Sequence, residues 1–305
     1  MKLIESKAEY IPQEEGLEGI YKQIELAGRT AYHSLDKITP DSAKDFVDRM
    51  IKSKHGAALE HGTVYLKVPT ETWREDEHEW VYMFPEELPW VSLDCDGKYW
   101  YITTNFRHIL EGNVGIETMN KYLCSPTDSH EKRYTMRFIC SRAIAQELTR
   151  HRVFSYLMES QRYINYSKER HGGEIPIIIP SWSSGLVEGN TYDMTIAKMC
   201  GISEGIKPLE QRFLMTMCFA EEMYFEFLED GFTPQQARDV LPNATKTELI
   251  MTGFSSDWRH VMDLRLFGKT GAPHPDMVNL MQKAQKAMQE VGIWDDIMSK
   301  PSKFE

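Results

Sequence analysis

Cysteine is sparse and unpatterned in this chain. The five residues, Cys95, Cys124, Cys140, Cys200 and Cys218, are scattered, with no Cys-x-x-Cys pair. That spacing excludes a thiolate metal site or a dithiol redox motif, and an odd, dispersed set reads as reduced thiols in a cytoplasmic protein. No apolar run approaches the roughly 18–20 residues that a bilayer-spanning helix needs. The opening MKLIESKAEY also lacks the apolar stretch of a signal peptide. Positive charge is in deficit, with 35 Lys and Arg against 46 Asp and Glu and a formal net charge of −11. Such a field disfavours nonspecific binding to nucleic acid or to an anionic membrane. No Gly-x-Gly-x-x-Gly follows a strand-like run, so the chain carries no dinucleotide fingerprint. There is no internal repeat and no low-complexity segment. What remains is a 305-residue chain, 41% hydrophobic and 27% charged. That is ordinary globular composition, long enough to bury a large core.

Periodicity predicts a helix-rich α/β (α+β) chain with few strands. Lys2 to Ile4 reads as a short strand, and the spacing of Leu17, Ile20, Tyr21, Ile24 and Leu26 as a helix reaching Arg29. Thr39-Pro40-Asp41 is a helix start with proline at the first position, and that helix should stop near Gly56. Val64 to Val68 and Tyr99 to Thr104 read as strands, with a turn at Asp96-Gly97. Residues 70–131 are acidic and rich in Trp and Tyr, including Trp73, Trp80, Trp90 and Trp100. Aromatic content this high needs burial, so the region is expected to pack on the rest of the chain as an insertion. Met136, Ile139, Cys140, Ala143, Ile144 and Leu148 fit helical spacing, which predicts one helix from about Glu131 to Thr149. A strand-like run at Glu174–Pro180 follows. Helices are then expected from Lys207 to Leu228, from Thr233-Pro234, after Ser255 or Ser256, and from Pro275 to Val291. A strand is expected at Thr247–Phe254.

The predicted Glu131–Thr149 helix delivers Arg150-His151-Arg152, followed after seven residues by Ser160 and then by Arg162. Adjacent cations repel one another unless an anion faces them, and guanidinium presents a planar fork that fits phosphate or carboxylate oxygens. A phosphorylated small molecule suits such a group. A solvated basic turn paired with Glu147 and Glu159 is the plainer alternative.

Arg-His-Arg, seven residues, then Ser, closed by Ser160-Gln161-Arg162-Tyr163, resembles the signature of the flavin-dependent thymidylate synthases. Ala237-Arg238 with Leu241-Pro242, and further on Leu264-Arg265, is similar to that family's C-terminal block. Glu60-His61-Gly62-Thr63 is similar to its N-terminal segment. The resemblance implies one domain over 1–305, with a mixed β-sheet flanked by helices and an aromatic-rich insertion at about 70–131. It also implies a homotetramer with shared active sites. The implied reaction is methylation of dUMP to dTMP, with methylenetetrahydrofolate as carbon donor and NADPH-reduced FAD as hydride source. No nucleic acid or membrane partner is implied.

The resemblance also assigns roles. Arg162 and Arg238 would clamp the nucleotide phosphate, with Ser160 and Gln161 beside it. Arg265 would meet the uracil edge and favour ionisation at N3, because a fixed cation beside an N–H stabilises the anion. Glu147, where the family usually has glutamine, would accept from the nucleotide or orient Arg150. Glu159 would stand near the nucleotide. No protein nucleophile is implied. His61, Thr63, Arg150, His151, Arg152, Ser256 and His260 would face FAD, with Arg150 also contacting dUMP. The chain departs from the pattern at Leu157-Met158, at Ala31-Tyr32, and at Phe254 and Ser256, where the family's Asn-x-Arg meets the flavin. Arg259 and His260, one turn on, are the available replacements. The alternatives are surface ion pairs for Arg238 and Arg265 and a structural role for His61. For the whole chain they are a nucleotide-binding module that has lost its flavin, or an enzyme of another pyrimidine nucleotide.

Overall fold

The computed structural model describes residues 1–305 except 73–83, 85–87, 113, 163, 169–171, 200–204 and 305. Tyr163, Trp73, Trp80 and Cys200 therefore lie outside the described residues. The chain opens with β1 (Lys2–Ile4), β2 (Lys7–Ile11), α1 (Gly16–Ala31), α2 (Ser42–Lys52), α3 (Gly56–Leu59) and β3 (Thr63–Pro69). The aromatic-rich stretch holds β4 (Ser92–Cys95), β5 (Tyr99–Asn105), α4 (Phe106–Glu111) and α5 (Ile116–Tyr122). Then come β6 (Arg133–Ser141), α6 (Arg142–Leu148), β7 (Ser155–Met158), β8 (Pro176–Ile178), α7 (Met194–Met199) and α8 (Pro208–Glu229). The last elements are α9 (Pro234–Ala237), a 3₁₀ turn at Arg238–Val240, β9 (Lys246–Phe254), α10 (Ser255–Arg265), α11 (Pro275–Glu290) and α12 (Trp294–Ser299).

The α/β class holds, with both strand senses present. An antiparallel four-stranded sheet runs β2-β6-β9-β7, a second antiparallel sheet runs β3-β5-β4, and β1 pairs parallel with β8. A bridge between Ile177 and Thr245 ties the parallel pair to the lead into β9. β9 is buried along its whole length, as the centre of a sheet covered on both faces must be.

The single helix expected over Glu131–Thr149 is corrected to a strand followed by a helix. Tyr134, Met136, Phe138 and Cys140 alternate into one core with Leu249, Met251 and Trp258. Period two therefore governs up to Ser141, whose side chain then accepts from the Ile144 N–H and starts α6. The expected helical stripe ran across this junction and mixed the two periods.

Three boundaries also shift. Helix α2 begins at Ser42 rather than after Thr39, because Ser42 Oγ accepts from the Thr39 N–H and donates to the buried Glu25 carboxylate. It ends at Lys52, before the left-handed Lys54, and Gly56 opens α3 instead of closing α2. At α10, Ser255 and Ser256 are the first helical residues rather than caps. Glu131 reaches across from another segment to accept the Ser256 N–H at 3.2 Å. The insertion is built into the protein: Ile102, Phe106, Ile109 and Met119 are fully buried against Val64, Leu66 and Val68.

Candidate active site

The signature stretch is held from both ends. Helix α6 closes at Leu148, and the Tyr156 hydroxyl on β7 lies 2.7 and 2.8 Å from the Leu148 and His151 carbonyls, folding the Arg150–Arg152 turn back on the sheet. Arg265, the last residue of α10, reaches the same turn. Its Nη1 donates to Glu147 Oε2 at 3.0 Å, its Nη2 to the Glu147 carbonyl at 3.2 Å, and its Nε to His151 Nε2 at 3.1 Å. Glu147, His151 and Arg265 thus form one cluster drawn from two helices. His151 must be the tautomer whose Nε2 accepts. Burial, then the Arg265 and His260 charges, hold its pKa down at about 4, so it stays neutral. His260 meets His151 edge-on at 6.2 Å and is itself stacked beneath Phe304.

Beyond β7 the chain enters a second cluster. Arg162 Nε donates to Gln235 Oε1 at 3.1 Å, which ties the signature to α9 and hence to Arg238 in the following turn. Arg142 opens α6 nearby. Its Nη1 is buried and makes no bond to a described residue. Burial pulls this guanidinium below its usual range, and the Arg238 charge acts in the same direction. Gln161 Nε2 and the Tyr166 hydroxyl, neighbours of one another, are also buried without a well-formed bond to a described residue. Buried polar atoms are nearly always bonded, so these three donors mark a place prepared for an acceptor-rich ligand. Sequence reasoning missed Arg142 and Tyr166. Reading Arg142 as a mid-helix residue hid it, although an arginine at the start of the signature helix was a usable signal.

Glu159 takes a different place. It is 3% exposed, accepts from Lys246 Nζ at 3.0 Å and from the Glu248 N–H at 3.1 Å. Lys246 in turn meets Glu248, which meets Arg137. This carboxylate is engaged by lysine rather than free for a nucleotide. Ser160 sits at the edge of the same network, its N–H 3.3 Å from the Ala31 carbonyl. Leu157 and Met158 pack against two different cores.

The flavin-side residues divide. Arg150 and Arg152 are exposed and make no side-chain bond to described residues. His61 is fully buried, with Nδ1 2.8 Å from Thr252 Oγ1 and Nε2 without a bond to a described residue. Burial and then the Arg133 charge depress its pKa to about 3. The Thr63 backbone is matched by Gln13, whose side chain both donates and accepts at 2.8 Å, and Thr63 Oγ1 faces Arg133. Arg259 is bound to Asp263 and to the Met298 carbonyl, so it is engaged away from any cofactor. Arg133 emerges in its stead. It is buried over the Phe254 ring at 5.7 Å, with bonds of 3.3–3.5 Å to Glu60, Thr63, Thr104 and Ser155. The structure thus places a cation beside Phe254. Sequence reading missed it because Arg133 looked like part of a helix.

Residues 130–291, more than half of the chain, match the model of the thymidylate synthase complementing protein family. The chain belongs to this family and is an enzyme of the flavin-dependent thymidylate synthase type. It is 27% identical over 220 residues to the flavin-dependent thymidylate synthase of Pyrococcus furiosus, across 70% of this chain and 76% of that protein. It is 29% identical over 125 residues to that of Geobacter sulfurreducens, across 41% of this chain and 44% of that protein. A crystal structure of the UMP/dUMP methylase PolB from Streptomyces cacaoi bound with 5-Br dUMP aligns over 98% of this chain and 97% of its own. The TM-score is 0.44 and the identity 14%.

Proposed function

We propose that the protein methylates dUMP to dTMP, with methylenetetrahydrofolate as carbon donor and NADPH as reductant. The observation that carries this reading is the position of Arg265, bonded at once to Glu147 and His151 of the signature turn, whose Arg150 and Arg152 make no side-chain bond to described residues. Arg238, Arg142 and Arg162 would hold the phosphate through charge-assisted bonds. Gln161 and Tyr166 offer their donors to the same anion or the sugar. Arg265 would meet the uracil and ease loss of its N3 proton, leaving an electron-rich ring whose C5 attacks the one-carbon unit. Glu147, 3.0 Å from Arg265, tempers that cation and fixes its direction.

A protein nucleophile is not needed, and the thiols are poor candidates for one. Burial pushes Cys140 up to about 12 and Cys218 up to about 11. FAD would supply the hydride. Arg152, on the wall of a cleft of about 330 Å³ and without a bonded partner among the described residues, fits an anionic cofactor of that kind.

Apolar side chains exposed on α7 and α8, among them Met199, Leu209 and Phe219, support a homotetramer that covers them. The four described cysteines are unpaired, which supports a cytoplasmic location. No helix among the described residues is long and apolar enough to cross a membrane. The test is direct. Protein saturated with FAD and dUMP, then given methylenetetrahydrofolate and NADPH, forms dTMP. Bound ligands without dTMP overturn the reading. Tight dUMP binding without flavin affinity would favour the module that has lost its cofactor, for which the engaged Ser256 and His260 speak.

A further inference from the structure

A cleft of about 330 Å³ separates the Arg152 turn from the aromatic-rich insertion, with Trp90, His108 and Arg107 on one wall and Arg152 and Ser155 on the other. Its insertion wall lies wholly outside the 130–291 match. Trp90 is 41% exposed, yet its indole is anchored: Nε1 donates to His108 Nδ1 at 3.3 Å, and its carbonyl accepts from Thr104 Oγ1 at 3.1 Å. An indole fixed at its polar edge but bare on its surface is a stacking platform. The charges are arranged for one anion. Arg107 is neutralised by Glu60 and Glu111, both at 2.7 Å, whereas Arg152 has no partner among the described residues. Behind the wall, Arg133 adds a buried cation through Ser155 Oγ and the Glu60 carbonyl.

We infer that this cleft binds an adenine nucleotide, its purine stacked on Trp90 and its phosphate paired with Arg152. The second oxygen of Glu60 is an acceptor beside the platform, since only Oε1 is bonded to Arg107. It suits the exocyclic amine of adenine and opposes the carbonyl edge of uracil. The two glutamates likewise disfavour a ligand with a dicarboxylate tail. Two nucleotides in the proposed reaction carry this chemistry, the adenylate half of FAD and that of NADPH. The inference rests on the flavin-dependent reading for that choice, although the cleft itself does not.

The probe is ADP, titrated against the full chain by intrinsic tryptophan fluorescence and by calorimetry. Trp90→Ala weakens ADP roughly tenfold, the size expected for one base–aromatic stack. Trp90→Phe stays within about threefold of wild type, and Arg152→Gln weakens ADP by a similar factor. Unchanged circular dichroism and melting temperature show that the variants fold. If ADP is displaced by FAD, the purine site belongs to the flavin. FMN, which lacks the adenylate, should then bind the Trp90→Ala variant as it binds wild type. If NADPH displaces ADP without displacing FAD, the site belongs to the reductant. Failure of ADP to bind, or equal ADP affinity in wild type, Trp90→Ala and Arg152→Gln, overturns the inference. A protein that binds ADP in this pattern but forms no dTMP refutes the synthase reading instead.

Discussion

Arg150, Arg152 and Arg238 stand exposed and make no side-chain bond to described residues, whereas His61, Thr63 and Ser256 are buried or already bonded within the chain. Both groups were assigned to ligands by resemblance, and the difference teaches how to weigh such assignments. An exposed guanidinium changes partners at little cost, so its side chain is available to an incoming anion. A residue such as His61, 0% exposed with one nitrogen bonded and the other without a bond to a described residue, already contributes to packing. Leaving a buried donor or acceptor unmet costs about 1–3 kcal/mol. The exposed arginines, Arg238 on the nucleotide side and Arg150 and Arg152 on the flavin side, are therefore held in readiness by charge, whereas His61 and Thr63 are held by packing.

The largest effect tests the link between them. Arg265→Ala should lower kcat about 10²–10³-fold, the range for removing one charge-stabilising donor, while dUMP affinity falls much less. Equal losses in kcat and affinity would reduce Arg265 to a binding residue. Next, Arg238→Ala should weaken dUMP about 10–100-fold, as for a lost charge-assisted bond, and leave deoxyuridine affinity unchanged. Equal weakening of the nucleoside would remove Arg238 from the phosphate.

Acid stability probes the packed side. Burial holds the folded pKa of His61 at about 3 and of His151 at about 4, below the 6.5 of a free imidazole. The unfolded chain takes up these protons first. Stability present above about pH 6.5 is thus lost as pH falls toward 4, at up to about 1.4 kcal/mol per unit for each imidazole. Urea midpoints at pH 7, 6 and 5 measure this, and His61→Asn should flatten the loss without changing flavin affinity more than threefold. A tenfold loss of flavin affinity at unchanged stability would return His61 to the cofactor. The smallest effect belongs to Glu147→Gln. Removing the carboxylate from Arg265 should tighten dUMP a few-fold and move the acid limb of kcat to lower pH. A rise in that limb would show that Glu147, not Arg265, controls the ionisation.

Much of the fold was legible because its longer elements keep one period. Helices α1, α8 and α11 and strands β3, β5 and β9 fall within a residue or two of expectation. The misread element, β6, alternates Tyr134, Met136, Phe138 and Cys140, but Ile139, Ala143 and Ile144 beyond them complete a helical stripe. The short β2, β4 and β7 draw their stability from pairing, which a local pattern does not display. The same error hid Arg133 and Arg142, which flank β6 and were absorbed into an imagined helix. Arg150, His151, Arg152, Arg162, Arg238 and Arg265 were legible as motifs. The engagement of Glu159 by Lys246 was not, since the two lie 87 positions apart.

The most direct measurement is the visible absorption of the FAD-reconstituted protein during a dUMP titration. The account predicts a flavin band that shifts and saturates at one dUMP per flavin, and a much smaller shift in Arg265→Ala. A flavin spectrum unmoved by dUMP, while calorimetry shows dUMP bound, would contradict a shared site for the two ligands.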